Sequence, residues 1–148
     1  MLRCEELIKS LENSSKVLYA GAISNNIKNK LKKASIKFFD VLNEDGVSIS
    51  NAIPTAEGAI SVAMNMTNFT IHKSNVLVMG YGNIGKVLSK MLCGIGANVY
   101  CEARNKKDIA FIEAMGYNSI KLQEIDSYLG KMNIIFNTIP SLVLNRER

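Results

Sequence analysis

An unbroken apolar run from Val76 to Met79 leads directly into three spaced glycines. A run without alternation is typical of a strand that is buried on both faces of a sheet. Beyond the glycines, apolar residues recur every three or four positions, which predicts a helix packed on that sheet. These residues are Ile84, Val87, Leu88, Met91, Leu92 and Ile95.

Each glycine of the predicted strand-to-helix turn has a separate expected role. Gly80 permits the tight bend, Gly82 leaves space for a pyrophosphate, and Gly85 lets the helix approach the strand. The first turn of the helix offers N–H groups and the positive end of its dipole to a phosphate. The alternative is that the glycines only close the turn, but the flanking strand and helix favour a nucleotide site. The expected contacts are Gly80, Tyr81, Gly82, Asn83, Ile84 and Gly85.

Downstream of the glycine loop, short apolar segments alternate with helical patterns. Together with residues 76–79 they predict four parallel strands in the order 3-2-1-4, an α/β architecture that is the first half of a Rossmann-like sheet. In such an incomplete sheet the last strand is an unpaired edge, and we expect the chain to self-associate there. The segments are strands at 97–102, 118–120 and 133–136 and helices at 106–115 and 122–129.

The first fifty residues predict a smaller, partial α/β domain. A helix over 2–12 precedes a strand, helix and strand over 16–41, a parallel unit whose crossover should be right-handed. Residues 42–50 are interpreted as a loop, and Pro54 suits the first position of a new helix that ends near Met66. The predicted parts are a partial N-terminal domain at 1–52, an interdomain helix at 53–67 and a nucleotide-binding domain at 68–148.

Polar residues at the start of the interdomain helix are candidates for substrate binding. Clefts between domains are common ligand sites, so Asn51, Thr55 and Glu57 could face a substrate there. The alternative is that Thr55 and Glu57 only satisfy free N–H groups at the beginning of the helix. The single histidine, His72, is interpreted as a hydrogen-bonding surface residue and not as a catalytic base.

Composition limits the remaining function classes. No apolar run approaches the length of a membrane span, and the charged residues near Met1 do not fit a signal peptide, so we expect a cytoplasmic protein without a membrane partner. Three cysteines without a CxxC motif suggest neither disulfides nor a metal site, and Cys93 and Cys101 are expected in the core. The net charge of +5 suits an acidic ligand but is too dispersed to predict nucleic-acid binding.

The end of the second strand of the predicted nucleotide domain indicates which cofactor is bound. NAD enzymes usually carry an acidic residue there, about 20 residues after the first glycine, to bind the ribose hydroxyls. In this chain the position falls on Ala103, which is followed by Arg104 and Asn105. A small residue followed by arginine leaves room for a 2′-phosphate and a guanidinium to bind it. We therefore predict NADP in preference to NAD, the alternative being that Glu102 binds the ribose.

Five segments in order carry a family resemblance. They are Asn51–Gly58, Thr70–His72, Val76–Gly85, Gly96–Val99 with Ala103-Arg104, and Asn137–Ser141. In these segments the chain resembles the family of dipicolinate synthase A subunits, of which it covers the middle portion.

The resemblance implies the last oxidoreductase step of dipicolinate formation, in which a dihydrodipicolinate-level dicarboxylate passes hydride to NAD(P)⁺. It also implies the B subunit of dipicolinate synthase as partner and the mother-cell cytoplasm of a sporulating bacterium as compartment. The family's glycine-loop positions correspond to Gly80, Gly82 and Gly85, and Asn137 and Thr138 are further candidates for cofactor contact. No catalytic residue carries over.

Two other function classes remain open. The layout of bridge helix, glycine loop and second domain is also similar to 2-hydroxyacid and shikimate dehydrogenases. The short length also fits a truncated form or a non-catalytic nucleotide-binding fragment.

Overall fold

The computed structural model describes residues 4–12 and 14–140, and the chain divides between Ser48 and Ile49 into two compact units. Residues 2 and 3 of the first predicted helix lie outside the described residues, as does Ser141 of the last family segment. The elements in chain order are α1 (Cys4–Leu11), β1 (Leu18–Ala20), α2 (Asn25–Lys33), β2 (Phe38–Asp40), a 3₁₀ turn (Val41–Asn43), α3 (Asp45–Met66), β3 (Asn75–Met79), α4 (Asn83–Ile95), β4 (Asn98–Glu102), α5 (Lys106–Ala114), β5 (Asn118–Ile120), a second 3₁₀ turn (Leu122–Glu124), α6 (Asp126–Leu129) and β6 (Ile134–Asn137).

The first unit is a small parallel αβ unit. β1 and β2 pair in parallel, and α2 connects them, as the strand, helix and strand pattern predicts. The Lys28 ammonium lies 2.6 Å from the Asp40 carboxylate, so α2 is tied to the end of β2. The hydrogen bond from Lys28 lowers the pKa of Asp40 below its usual value. The buried core of this unit consists of Ile23, Leu31 and Ile36.

The long helix α3 begins earlier than the sequence pattern predicts. The loop expected over 42–50 is wrong, because α3 starts at Asp45 and Pro54 lies inside it, not at its first position. The segment at 45–51 contains glycine, serine and asparagine, which have low helix propensity, and it is mostly exposed, so it extends a helix that tertiary packing stabilises from Ala52 onward. The packed face of α3 carries small and apolar residues at helical spacing that are buried in the structure: Ala52, Ala56, Ile60 and Ala63.

The second unit contains the predicted four-stranded sheet. Its order is β5-β4-β3-β6 with every pair parallel, which confirms the predicted order of 3-2-1-4. The central strand β3 is buried on both faces, because alternate residues point to opposite sides of a sheet. Val76 and Val78 lie in the core under α4 and α5, and Leu77 and Met79 lie in the opposite core beside α6.

Three asparagines align the amino ends of the strands in this sheet. The Asn133 side-chain oxygen accepts the backbone N–H of Asn75 at 2.8 Å. The Asn98 amide donates to the Asn75 side-chain oxygen at 3.1 Å, and Asn75 and Asn98 are register partners. The starting residues of β3 and β4 and the residue before β6 are therefore joined by side-chain hydrogen bonds.

β6 forms one edge of the sheet. It pairs with β3 on one side, and within residues 4–140 no strand pairs with its other side. Ile135 is 37% exposed on this strand. A groove of about 440 Å³ runs between β6 and the small residues of α3, and it is mainly apolar because Gly58, Ala59, Val62, Ala63 and Met66 line it.

The exposed edge generates a prediction about self-association. β6 contains neither lysine nor proline, the residues that discourage pairing between edge strands, so we expect the chain to self-associate through it or to be poorly soluble. Ile135→Lys should shift the chain toward monomer in size-exclusion chromatography with light scattering. Met115→Lys, an equal charge change at an exposed residue on α5's C-terminal side, is the control. A clean monomer of the native chain at tens of micromolar would contradict this expectation.

Candidate dinucleotide-binding site

The turn between β3 and α4 depends on two of its three glycines. Gly80 has φ of +88°, in the left-handed region that side-chain-bearing residues rarely adopt. A Cβ on Gly85 would collide with the carbonyl oxygen of Gly80, so α4 can cross this close to the end of β3 only with glycine at position 85. These contacts agree with the expected roles of Gly80 and Gly85 in the turn.

Gly82 has a different environment. Its backbone is extended, with φ of −78° and ψ of −165°, and among the residues that the structure describes a Cβ at this position would meet no atom within 4 Å. Within residues 4–12 and 14–140, no contact therefore requires glycine at position 82. Gly82 is the N-cap of α4 and has no side chain to cap the helix, so the positive end of the helix dipole faces open space beside it. This arrangement fits a pyrophosphate.

A pocket of about 240 Å³ lies beside the loop, where the carboxyl ends of β3 and β4 meet the start of α5. The structure brings six of the predicted cofactor residues together in this pocket: Gly80, Tyr81, Gly82, Ala103, Arg104 and Asn105. Asp108 and Ile139 line it as well, and the sequence reasoning missed them. Asp108 follows the Asn105 N-cap by three residues and accepts its side-chain amide at 2.6 Å, a capping pattern that could have indicated it.

Thr138, the residue directly after β6, binds the backbone of the glycine turn. The Thr138 hydroxyl donates to the Met79 carbonyl at 2.8 Å and lies 3.3 Å from the Gly80 carbonyl. Asn137 accepts the N–H of Ile139 through its side-chain oxygen at 2.9 Å. Both residues therefore lie at the carboxyl end of the sheet, next to the glycine loop. Their described hydrogen bonds are made to the protein backbone.

Glu102 and Arg104 differ in where their charges lie. Glu102 is 1% exposed, and its Oε2 accepts the backbone N–H of Gly80 at 3.1 Å. Its Oε1 is buried without a hydrogen-bond partner among the described residues, and the Arg104 Nε lies 4.0 Å from it. The Arg104 side chain is 61% exposed, so its guanidinium can turn toward a ligand in the pocket.

Two ionisable groups near the loop are buried and uncharged at neutral pH. Burial raises the pKa of Tyr81 to about 12 and the pKa of Cys101 to about 11. Tyr81 and Cys101 therefore stay protonated at neutral pH. The Tyr81 ring packs against Phe111 at 6.3 Å between ring centroids.

Cys93, which was expected in the core, is exposed, because the buried side of α4 consists of Gly85, Leu88, Ser89 and Leu92.

The predicted substrate residues lie elsewhere on the second unit. Asn51, Thr55 and Glu57 are exposed on α3, and the Thr55 hydroxyl donates to the Asn51 carbonyl at 2.7 Å. Because α3 begins at Asp45, the alternative that Thr55 and Glu57 cap the helix start is wrong. Glu57 lines a groove with Met91 in the later part of α4, away from the glycine loop.

His72 is exposed, and its Nδ1 lies 3.3 Å from the Ile95 carbonyl at the end of α4, as expected for a hydrogen-bonding surface residue. None of the helices within residues 4–12 and 14–140 has the length and apolar character that crossing a membrane requires.

The fold and the glycine site define a class of protein. Residues 51–147 match the family of the D-isomer specific 2-hydroxyacid dehydrogenase NAD-binding domain. The chain belongs to this family of Rossmann-like NAD-binding domains.

A particular relative is the A subunit of dipicolinate synthase of Bacillus subtilis (strain 168), which is 34% identical over 130 residues, covering 88% of this chain and 44% of the relative. The predicted resemblance to this family is thereby confirmed. The chain spans about half the length of the relatives it matches.

Solved structures agree with this similarity. The dipicolinate synthase A subunit from Bacillus halodurans superposes with a TM-score of 0.86 at 32% identity, covering 96% of this chain and 48% of that chain. The corresponding polypeptide of dipicolinate synthase from Bacillus subtilis gives a TM-score of 0.83 at 32% identity, with 99% and 48% covered. A transhydrogenase from Sinorhizobium meliloti, 16% identical with a TM-score of 0.70 over 93% of this chain and 48% of that chain, shares the fold.

The open space at Gly82 generates a direct test of nucleotide binding. Gly82→Val should fold, because its Cβ meets no atom of the described part of the chain, but its side chain should occupy the space of the pyrophosphate. We expect a loss of about 1 to 3 kcal/mol of binding free energy from overpacking, which is roughly five- to 150-fold in affinity. Calorimetric titration with NADPH measures this loss.

Gly94→Val is the matched control for this test, since a Cβ at Gly94 also meets open space and lies near the other end of α4. It should bind NADPH as the native chain does. Equal affinity of Gly82→Val and the native chain would exclude the glycine loop as the phosphate site.

Proposed function

We propose that the chain binds NADP(H) at the Gly80 loop and takes part in the oxidation of a dihydrodipicolinate-level dicarboxylate to dipicolinate. The observation that carries this proposal is the glycine-loop pocket in a chain that is 34% identical, over 88% of its length, to a dipicolinate synthase A subunit. Membership of the 2-hydroxyacid dehydrogenase NAD-binding domain family supports the binding of a nicotinamide dinucleotide. The specific reaction is inferred from the similarity to the A subunit of dipicolinate synthase, together with the glycine-loop pocket.

The proposed reaction is a hydride transfer that balances without a further oxidant. The bound NADP⁺ would accept one hydride from a ring carbon of the dihydro compound, and a proton would leave to solvent as the ring becomes aromatic. The chain's own contribution is to bind and orient. The backbone of the glycine turn and the α4 N-terminus would hold the pyrophosphate. Arg104 would bind the adenosine end of the cofactor.

Ala103 and Arg104, which follow β4, support the proposed preference for NADP over NAD. Ala103 is small and buried, so no side chain there fills the pocket, and exposed Arg104 follows it. Glu102, the alternative ribose ligand, has one carboxylate oxygen bonded to the Gly80 N–H and the other buried. A guanidinium can bind a phosphate through two parallel hydrogen bonds, which is the contact we propose for Arg104.

The B subunit of dipicolinate synthase is the proposed protein partner, and the mother-cell cytoplasm of a sporulating bacterium is the proposed compartment. The net charge of +5 is compatible with a small dicarboxylate substrate. The substrate role of Asn51, Thr55 and Glu57 stays a prediction. A carboxylate at Glu57 would repel a dicarboxylate, so Asn51 and Thr55 are the more suitable of the three.

A second candidate function is favoured by the family match at residues 51–147. The same domain in the same family serves dehydrogenases that act on D-2-hydroxyacids. Reduction of NAD(P)⁺ with a panel of D-2-hydroxyacids, compared with a dihydrodipicolinate source, distinguishes the two. If the chain binds the cofactor but reduces NAD(P)⁺ with none of these substrates, the result indicates a role in binding alone.

The proposed reaction leads to a prediction about turnover. Because the chain spans about half the length of its relatives, we expect little or no NADPH production when it is mixed alone with NADP⁺ and a dihydrodipicolinate source. Absorbance of NADPH over time measures the rate, with and without the proposed B-subunit partner. Robust NADPH production in the absence of any second protein would contradict this prediction.

The role of Arg104 gives a second prediction. Arg104→Ala should weaken NADP binding about tenfold or more and leave NAD binding less affected, since one charge-assisted hydrogen bond contributes about 1.5 to 3 kcal/mol. Lys90→Ala, an equal charge loss on an exposed residue of α4, serves as the control. Dissociation constants for both cofactors are measured by calorimetry. An unchanged ratio of the two constants in Arg104→Ala would refute NADP selection by this residue.

A further inference from the structure

A second pocket adjoins the candidate dinucleotide-binding site and shares Ala103 and Arg104 with it. Its volume is about 400 Å³, which is sufficient for a small-molecule ligand. We call it the basic pocket. Its other lining residues come from the first part of α5 and from the segment after β5: Lys106, Ile109, Lys121, Leu122 and Gln123.

The basic pocket brings together three cationic side chains from the ends of two neighbouring strands. The Ala103 N–H donates to the Ile120 carbonyl at 3.2 Å. Arg104 and Lys121, the next residues, therefore leave the sheet from adjacent backbone positions, and Lys106 begins α5. None of the described residues that line the basic pocket is acidic. Because like charges repel, this arrangement is electrostatically unfavourable unless an anion enters.

The two lysines of the basic pocket lack the partners that usually offset such charges. Among the described residues, no carboxylate forms an ion pair with Lys106 or Lys121. Lys106 and Lys107 occupy the first two positions of α5, where the positive end of the helix dipole disfavours cations. Asp108, in the same turn, accepts the Asn105 amide and lines the neighbouring pocket instead. The charge pattern therefore favours an anionic ligand.

The apolar residues of the basic pocket restrict the class of anion. Ile109 and Leu122 are half-buried there, so part of the ligand surface would contact side-chain carbon atoms. An aromatic ring packs well on such residues, and the Arg104 guanidinium can stack on its face. Two carboxylates on the ring would pair with the ammonium groups of Lys106 and Lys121. The basic pocket therefore fits a small aromatic dicarboxylate better than inorganic phosphate, which has the charge but no ring.

We propose that the basic pocket binds the aromatic dicarboxylate product and that the bound product inhibits the chain by competing with NADP for Arg104. This inference rests on the proposed function, which supplies both the product, dipicolinate, and the cofactor. The basic pocket adjoins Arg104, at the adenosine end of the proposed cofactor. A ligand there lies away from the nicotinamide ring and is not placed to exchange hydride with it. The site is therefore inhibitory and not catalytic.

Calorimetric titration of the chain with dipicolinate, without cofactor, tests the basic pocket directly. The native chain should bind dipicolinate, and it should bind picolinate, which has the same ring with one carboxylate, about tenfold or more weakly. Lys106→Gln and Lys121→Gln should each weaken dipicolinate binding by about tenfold or more, since each removes a charge-assisted hydrogen bond.

Both lysine variants should fold, because the two side chains are exposed, and their melting temperatures check this. Lys90→Gln is the matched control, an equal loss of charge at an exposed residue of α4 outside the basic pocket. It should bind dipicolinate as the native chain does.

A second titration tests the competition for Arg104. With dipicolinate at about ten times its dissociation constant, NADP should bind the native chain roughly tenfold more weakly. NAD has no 2′-phosphate, so its dissociation constant should change less. In Lys121→Gln the same dipicolinate concentration should weaken NADP binding less than in the native chain. Unchanged NADP affinity of the native chain with dipicolinate bound would overturn the competition.

The remaining outcomes separate this site from other anion sites. Failure of the native chain to bind dipicolinate, or native affinity in both lysine variants, would overturn the inference. Equal affinity for inorganic phosphate would do the same, because it would indicate a general anion-binding surface. Titration with 2′-AMP, a fragment of NADP, distinguishes the cofactor's own adenosine end: loss of 2′-AMP binding in both lysine variants would assign the basic pocket to the cofactor and reject the inference. Dipicolinate binding that depends on both lysines, in a chain that binds neither cofactor, would support the pocket and overturn the proposed function.

Discussion

The backbone of Gly80 is the point on which the candidate site depends. Its N–H is held by Glu102 at the end of β4, and its carbonyl lies next to the Thr138 hydroxyl beyond β6. The third side is closed by Gly85, where any side chain would collide with the same carbonyl. Strands on both sides and the following helix therefore fix one turn. Because α4 starts from this turn, its dipole direction and the position of Gly82 follow from it.

Periodicity predicted the nucleotide-binding sheet well because its strands and helices bury continuous apolar faces. β3 and α4 show the two patterns most clearly, and the predicted strand order is the observed one. The start of α3 could not be read in the same way, since its first turns combine weak helix formers with a proline. The buried face of α3 begins at Ala52, and the mostly exposed turns before it extend the same helix, because elongating a helix costs less than nucleating one.

The sequence predicts the candidate site best where the backbone needs a conformation that one residue type adopts readily. A glycine with φ of +88° is such a case, and spacing alone located Gly80 and its neighbours. Side-chain direction at a strand end depends on neighbours that are distant in sequence. The inward position of Glu102, the contacts of Thr138 and the placement of Ile139 in the pocket are therefore properties of the fold.

The positions of Glu102 and Thr138 at this site also depend on hydrogen bonds at the opposite end of the sheet. The hydrogen bonds among Asn75, Asn98 and Asn133 fix the register of three strands at their amino ends. A slip of one residue would shift a carboxyl end by about 3.3 Å, more than a hydrogen bond tolerates. Glu102 and Thr138 would then no longer reach the Gly80 turn. The three asparagines thus help to align the pocket from the opposite end of the sheet, some five residues away along each strand.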